Sequence, residues 1–174
     1  MKRFLIVVDM QKDFVDGALG TKEAMEIVPC AVKKIQNFCG DIFVTYDTHF
    51  ENYSNTLEGK HLPVPHCIKG TEGHRLNRDI SKALEGRKYT EIEKSTFGLA
   101  ELPEIIRKAA GNEEFSVELI GLCTDICVVS NALLLKASFP ETEITVDSAC
   151  CAGVTPESHQ AALTVMKMCQ INVL

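Results

Sequence analysis

Three residues of this 174-residue chain carry groups that take part in nucleophilic chemistry. Asp9 and Lys94 directly follow short β-rich runs, and Cys127 lies shortly after another. A thiolate is a strong nucleophile, a nearby cation stabilises it, and a carboxylate can accept and return a proton. Taken singly, Cys127 is typical of a small buried hydrophobe, Asp9 of a turn acid and Lys94 of a solvated charge. Together at three strand ends, they favour a thiol nucleophile with a base and a supporting cation.

Cys127 lies close to the predicted start of a helix. With Thr124 as the N-cap, Cys127 is the N3 residue, where backbone N–H groups are unpaired and the helix dipole is positive. This position, and Lys94 at a neighbouring strand end, predict a lowered pKa for the Cys127 thiol.

A second group of polar residues has the spacing of metal ligands. Asp47 and His49 are one residue apart, so their side chains can point to the same side of an extended segment. His66 can return from the following loop as a third ligand, with Glu58 or Glu51 as a fourth. Two histidines plus carboxylates suit a catalytic Zn²⁺, Mn²⁺ or Fe²⁺ site. The spacing alone is equally typical of polar residues in a histidine-rich loop.

The candidate catalytic and metal-binding residues can come together if a parallel sheet brings the ends of their strands to one edge. Six short β-rich runs recur along the chain, at residues 4–8, 42–46, 90–93, 116–121, 143–146 and 171–174. Segments with helical patterns lie between most of them, at residues 29–38, 102–110, 126–137 and 156–168. Strands that alternate with helices predict an α/β fold, a three-layer sandwich with a mainly parallel six-stranded sheet and helices on both faces. Because ligands bind beyond the carboxyl ends of such strands, the polar residues share one rim.

Length and composition set the class of protein. The 174 residues predict one domain, and 45% hydrophobic with 24% charged residues is typical of a globular chain. The net charge of −6 argues against a nucleic-acid partner. No apolar stretch approaches the roughly 20 residues of a spanning helix, which predicts a cytoplasmic protein without membrane contact. The eight cysteines lie mostly in apolar-patterned segments and are interpreted as reduced core thiols.

Five motifs, in order along nearly the whole chain, resemble the isochorismatase-like cysteine hydrolases, and the Asp-x-His and Pro-x-His-Cys pair resembles the nicotinamidase branch. They are Asp9-x-Gln11-x-Asp13-Phe14, Asp47-Thr48-His49, Pro65-His66-Cys67-Ile68-x-Gly70-Thr71-x-Gly73, Lys94-Ser95-x-Phe97, and Gly121-x-Cys123-Thr124-Asp125-x-Cys127-Val128. The resemblance implies one isochorismatase-like, Rossmann-like domain over residues 1–174. It also implies hydrolysis of nicotinamide to nicotinate and ammonia through a cysteine thioester.

The resemblance also implies a role for each catalytic residue. Cys127 is the nucleophile, Asp9 the general acid and base, and Lys94 the cation that supports the thiolate. A cis peptide is expected at Leu122-Cys123, so that the backbone N–H groups of Cys123 and Cys127 form an oxyanion hole.

For the metal and the pocket, the resemblance implies the following. Asp47, His49 and His66 hold a divalent metal that binds the pyridine nitrogen, with Glu58 as a further ligand. The expected ion is Zn²⁺, with Mn²⁺ or Fe²⁺ as alternatives. Phe14 and Phe97 wall the ring pocket, although both are also typical of core aromatic residues. The expected partners are a small-molecule amide and further copies of the chain in a homo-oligomer.

Two departures from the branch leave other substrates open. Lys94 is not followed by an Asp-Ser-Tyr-Ser-Ala-Phe-like segment, and the chain contains no Trp. A related thiol hydrolase of another small amide, ureido compound or carbamate is therefore the first alternative. The second, from another class, is a non-catalytic metal-binding or thiol-redox module that uses the same metal ligands and four clustered cysteines, Cys123, Cys127, Cys150 and Cys151.

Overall fold

A computed structural model describes residues 1–174, and its centre is one six-stranded sheet. All neighbouring strands run parallel, in the order β3-β2-β1-β4-β5-β6. The predicted α/β fold is therefore confirmed, with every strand parallel. The strands are β1 (Lys2–Val8), β2 (Asp41–Asp47), β3 (Tyr89–Lys94), β4 (Phe115–Leu122), β5 (Glu143–Ala152) and β6 (Asn172–Val173).

Helices cover both faces of the sheet. They are α1 (Lys12–Val15), α2 (Lys22–Glu26), α3 (Val28–Asn37), α4 (Leu57–His61), α5 (Arg78–Leu84), α6 (Leu102–Ala110), α7 (Val129–Ser138) and α8 (Pro156–Met168). Alternate side chains of a strand point to opposite faces. Phe4, Ile6 and Val8 of β1 accordingly pack with α6, α7 and α8, and Leu5 and Val7 pack with α3 and α5. β1 is thus buried on both sides, as the central strand of a three-layer sandwich.

The two amphipathic helices α6 and α8 have the bounds that the sequence predicts. The predicted helix at residues 126–137 is different, because a π-helical segment, Thr124–Val128, precedes α7. The predicted loop from Thr48 to Asn77 contains a 3-10 turn at Tyr53–Asn55 and the short helix α4. Helices α1, α2, α4 and α5 span at most seven residues, too few for their apolar spacing to show in the sequence.

The cysteines divide between core and surface. Four are buried, as predicted, and Cys123 is partly buried. The prediction of core thiols is wrong for Cys30, Cys39 and Cys169, which are exposed. Cys30 lies on the outer side of α3, Cys39 in the turn after it, and Cys169 at the end of α8. None of the helices is long and apolar enough to span a membrane.

The carboxyl ends of the central strands form the edge that carries the polar residues. β1 lies between β2 and β4, and Asp47 pairs with Lys94 in the ladder between β2 and β3. Gly121 of β4 has a φ of +120°, and a Cβ atom there would lie 2.1 Å from the carbonyl oxygen of Val8. Glycine therefore allows β4 to approach the end of β1 closely, immediately before the Cys123–Cys127 segment.

Candidate active site

The side chains of Asp9, Lys94 and Cys127 lie close together at the carboxyl ends of the strands. Lys94 Nζ lies 2.7 Å from Asp9 Oδ2 and 3.5 Å from Cys127 Sγ. All three residues are buried, with exposed fractions of 0%, 4% and 4%. The structure thus brings together the three groups that the sequence placed at strand ends.

Asp9 is held by contacts from two strands. Its φ is +47°, a conformation that aspartate adopts more readily than most residues, and its N–H donates to the Thr45 carbonyl at 3.2 Å. The Thr45 hydroxyl donates to Asp9 Oδ1 at 2.6 Å. Oδ2 has the Lys94 ion-pair contact and accepts no directed hydrogen bond. Asp9 is therefore held by Thr45 through Oδ1 and by Lys94 through Oδ2.

The segment that carries Cys127 differs from the predicted helix start. Cys123, with φ −87° and ψ 144°, holds the N-cap position, so Thr124 is not the cap and Cys127 is not the N3 residue. The Cys123 carbonyl accepts hydrogen bonds from Ile126 N–H at 3.1 Å and Val128 N–H at 3.0 Å. The peptide bond between Leu122 and Cys123 is cis. The π-helical turn replaces the predicted α-helical first turn.

The pKa of the Cys127 thiol is raised well above its ordinary value, opposite to the prediction. Burial is the main cause and the Asp9 carboxylate adds to it, while Lys94 opposes both. Burial also raises the pKa of Asp9, against the lowering effect of Lys94. Burial favours a neutral Lys94, but the surrounding Asp9, Cys127 and Asp47 outweigh it and raise the pKa of its ammonium group. Burial and the Asp9 carboxylate therefore favour the protonated form of the Cys127 thiol, and Lys94 favours the thiolate.

Asp47, His49, Glu58 and His66 form one cluster whose four ligand atoms all lie within 4.8 Å of one another. Asp47 Oδ2 is 3.0 Å from His49 Nε2 and 3.6 Å from His66 Nε2. Glu58 Oε1 is 3.6 Å from both of these nitrogens. The carboxylate that joins the cluster is Glu58 of α4, whereas Glu51 is exposed and outside it.

The donor set of this cluster fits a divalent metal. A carbonyl can only accept, so His66 Nδ1 donates its hydrogen to the Val64 carbonyl at 2.8 Å and Nε2 carries the lone pair. His49 Nε2 is buried and has no directed hydrogen bond. Two imidazole nitrogens and two carboxylate oxygens match the ligands of zinc and neighbouring divalent ions.

Asp47 links this cluster to Lys94, which contacts Cys127. Its Oδ2 faces the two histidines, and its Oδ1 lies 3.4 Å from Lys94 Nζ. Burial would raise the Asp47 pKa, but the neighbouring rings of His49 and His66 and the charge of Lys94 hold that pKa below its usual range. Asp47 is therefore an ionised carboxylate shared by both halves of the site.

Gln11 holds Asp47 in place, a role that the sequence analysis did not assign. Its Nε2 donates to the Asp47 carbonyl and its Oε1 accepts from the Asp47 N–H, both at 2.8 Å. Nε2 also donates to the His74 carbonyl at 2.8 Å. Gln11 is completely buried, so its amide continues the hydrogen bonding of β2. In the sequence, the only sign of this role was the presence of Gln11 in the first motif.

Asp13 and Asn131 are two further positioning residues that the sequence analysis missed. Asp13 Oδ2 accepts the Cys67 N–H at 2.8 Å, beside the ligand His66. Asn131 donates to the Cys127 carbonyl at 2.8 Å and accepts the Leu99 N–H at 2.9 Å. The available signal for Asn131 was an amide next to the apolar run Ala132–Leu135 of helix α7.

A cavity of about 830 Å³ opens above both groups. Cys127, Asp47, Glu58 and His66 line it, whereas Asp9 and Lys94 lie behind Cys127 and are not part of its wall. Both predicted aromatic residues line the cavity: Phe14 packs against His66 with ring centroids 5.4 Å apart, and Phe97 is 46% exposed. Phe14 also belongs to the core, and a contact of either ring with a substrate stays a prediction.

A parallel α/β sheet with a buried Asp-Lys-Cys cluster beside a four-ligand metal group defines a candidate metal-assisted cysteine hydrolase. Residues 3–174 match the family model of the isochorismatase domain, and the chain belongs to this family. The predicted membership is thereby confirmed.

Three relatives show the range of this family. A nicotinamidase/pyrazinamidase from Mycobacterium tuberculosis is 26% identical over 187 aligned positions, which cover 99% of this chain and 98% of the relative. The crystal structure of a Pyrococcus horikoshii pyrazinamidase in complex with zinc is 28% identical, with a TM-score of 0.84 and coverage of 100% and 99%. An N-carbamoylsarcosine amidase structure from Thermoplasma acidophilum is 26% identical, with a TM-score of 0.78 and coverage of 99% and 95%.

Proposed function

We propose that this protein is a cysteine amidohydrolase that converts nicotinamide to nicotinate and ammonia. The observation that carries the proposal is that Cys127 and the ligands Asp47, Glu58 and His66 line one cavity, with Asp9 and Lys94 directly behind the thiol. The nicotinamidase/pyrazinamidase relatives support nicotinamide as the substrate.

In the first half of the reaction, Asp9 accepts the proton of the Cys127 thiol as Sγ attacks the amide carbonyl carbon. Lys94 stabilises the thiolate that develops. The backbone N–H groups of Cys123 and Cys127 are proposed to stabilise the tetrahedral oxyanion. Asp9 then gives the proton to the leaving nitrogen, so that the C–N bond breaks, ammonia departs and a thioester remains on Cys127.

In the second half, water attacks the thioester carbonyl. Asp9 takes a proton from this water and returns it to Sγ as the C–S bond breaks, which releases the acid and restores the thiol. The raised pKa of Asp9 suits this role because a carboxyl group with a pKa closer to the working pH both accepts and returns a proton.

Asp47, His49, Glu58 and His66 are the residues that would hold the divalent metal. We infer Zn²⁺ from the two nitrogen and two oxygen donors, with Mn²⁺ or Fe²⁺ as alternatives. When bound, the ion supplies a Lewis acid for the pyridine nitrogen and so orients the ring. Phe14 and Phe97 are proposed to flank that ring, since both line the cavity.

A ureido compound is the second candidate substrate, and the N-carbamoylsarcosine amidase of the same fold favours it. The test measures ammonia release by freshly reduced, zinc-loaded protein from nicotinamide and from N-carbamoyl amino acids in parallel. The proposal expects release from nicotinamide that is lost on chelation. Release from the ureido compounds alone would keep the Cys127 chemistry and replace the substrate. Release from no compound would favour the non-catalytic module.

The number of domains, the oligomeric state and the location of the protein are also proposals. We infer one domain over residues 1–174, supported by one sheet with a hydrophobic core on each face. The homo-oligomer and the cytoplasmic location stay predictions, and light scattering of the purified protein tests the former.

A further inference from the structure

Two consecutive residues of the Cys127 segment form hydrogen bonds with helix α8 and with the turn that precedes it. Thr124 Oγ1 lies 2.8 Å from Nδ1 of His159, which is in the second turn of α8. Both carboxylate oxygens of Asp125 lie 3.2 Å from the N–H of Val154, in the turn itself. The catalytic steps described above use none of these four residues.

The direction of the hydrogen bond between Thr124 and His159 follows from burial. Thr124 is completely buried, and its hydroxyl has no other hydrogen-bond partner. A buried hydroxyl that does not donate is costly, so Thr124 donates to Nδ1 and His159 is neutral, with its hydrogen on Nε2. Burial lowers the pKa of His159, which favours the neutral ring, and Asp125 is the charged neighbour that opposes this shift.

The backbone of the turn between β5 and α8 passes close to His159. A Cβ atom at Gly153 would lie 2.8 Å from the His159 Cβ and 2.9 Å from its backbone nitrogen. Glycine therefore lets the turn pass directly over the histidine, and the next residue, Val154, reaches Asp125. Thr155 then begins α8 with a capping box that includes Ser158. The imidazole is consequently held at a fixed place relative to Thr124.

We propose that His159 is a positioning residue for the nucleophile. By accepting the Thr124 hydroxyl it fixes the start of the π-helical segment, and with it Cys127 and the backbone of Cys123. Protonation of His159 converts Nδ1 from an acceptor into a donor, which reverses this hydrogen bond and leaves the hydrogen of the buried Thr124 hydroxyl without an acceptor. The inference rests on the proposed nucleophilic role of Cys127, and the test includes a measurement that needs no substrate.

The experiment compares His159→Leu with His159→Asn. Leucine keeps an apolar bulk without an acceptor, whereas the amide oxygen of asparagine can lie where Nδ1 lies and does not titrate. Gln160→Leu, an exposed neighbour on α8, is the matched control. The measurements are kcat and KM for ammonia release from pH 5 to 8, and the alkylation rate of Cys127 by iodoacetamide, followed by mass spectrometry of its peptide. The thermal unfolding midpoint of each variant separates local from global effects.

His159→Leu is expected to lower kcat about tenfold with little change in KM, because a buried hydrogen bond that positions the nucleophile is lost. Alkylation is expected to rise, because Cys127 is only 4% exposed while the segment is held. His159→Asn restores both values, and its kcat falls less than that of the wild type toward the acid end of the pH range, because the pKa of His159 lies below its ordinary value.

Wild-type kcat and alkylation in His159→Leu would overturn the proposal. Equal impairment of the leucine and asparagine variants, with a matching loss of the unfolding midpoint, would overturn it as well, since that result indicates a merely structural residue. If the wild type releases no ammonia from nicotinamide, the proposed function fails. The alkylation rates then still decide whether His159 positions Cys127.

Discussion

The ammonium group of Lys94 lies 2.7 Å from Oδ2 of Asp9, and both side chains are completely shielded from solvent. The same ammonium group lies 3.5 Å from Cys127 Sγ. A carboxylate and a cation thus contact one another beside the Cys127 thiol. Because each charge is buried, the site depends on the pair and not on either residue alone.

Lys94→Met is expected to destroy this pair. It leaves the buried Asp9 without its counter-charge, so the free energy of unfolding should fall by about 3 to 5 kcal/mol. The kcat for ammonia release should fall at least about 100-fold because the developing thiolate loses its cation. Urea titration and steady-state kinetics measure the two effects. Lys69→Met, which breaks the exposed pair with Glu93, is the control and should change stability by less than about 1 kcal/mol. An active, stable Lys94→Met protein would contradict this account of the pair.

Asp9→Asn should separate thiol reactivity from catalysis. The Asp9 carboxylate raises the pKa of the Cys127 thiol, so its neutralisation lowers that pKa and increases alkylation of Cys127 at pH 7. Turnover should fall at least about 100-fold because the proton acceptor is gone. Alkylation followed by peptide mass spectrometry, with ammonia assays in parallel, measures both, and Asp16→Asn at an exposed position is the control. Undiminished ammonia release by Asp9→Asn would argue against Asp9 as the base.

His49→Ala should remove a metal ligand whose buried Nε2 has no other directed partner. Plasma emission is expected to find about one ion per chain in the wild type and close to none in this variant. His61→Ala, an exposed histidine outside the four-ligand cluster, should keep the metal. Wild-type metal content in His49→Ala, or a metal-free preparation with full activity, would remove the metal from the account.

Gln11→Leu should destabilise the site without touching a ligand. It leaves the N–H and carbonyl of Asp47 without their partners, and each buried unsatisfied group costs about 1 to 3 kcal/mol. The free energy of unfolding should fall by about 3 kcal/mol and the metal should bind more weakly. Gln36→Leu on the exposed side of α3 is the control. Unchanged stability and metal affinity in Gln11→Leu would show that Asp47 needs no such support.

The sequence was sufficient to predict the sheet and its polar edge. Strand ends can be predicted because β-rich runs stop at charged residues, and parallel pairing then brings Asp9, Asp47 and Lys94 to one edge. Helices α6 and α8 were predictable because nine or more residues show the apolar spacing of a helix.

Other parts of the site depend on contacts that no local pattern contains. The choice of Glu58 over Glu51 follows from the placement of α4, and the Gln11 contact with Asp47 joins residues 36 positions apart. The shift of the Cys127 pKa was predicted in the wrong direction because a helix start and Lys94 are visible in the sequence, whereas the burial of the thiol beside Asp9 is not. The hydrogen bond between Thr124 and His159 could not be predicted either, because 35 positions separate the two residues.

The most direct test of the central claim is to trap the thioester. Reduced, zinc-loaded wild type and Cys127→Ala are mixed with nicotinamide, quenched in acid, and digested for mass spectrometry, with Cys39→Ala as the control at an exposed thiol. We predict a nicotinoyl adduct on the Cys127 peptide of the wild type and of Cys39→Ala. The folded Cys127→Ala protein should show neither adduct nor ammonia release. Undiminished ammonia release by Cys127→Ala would contradict the account.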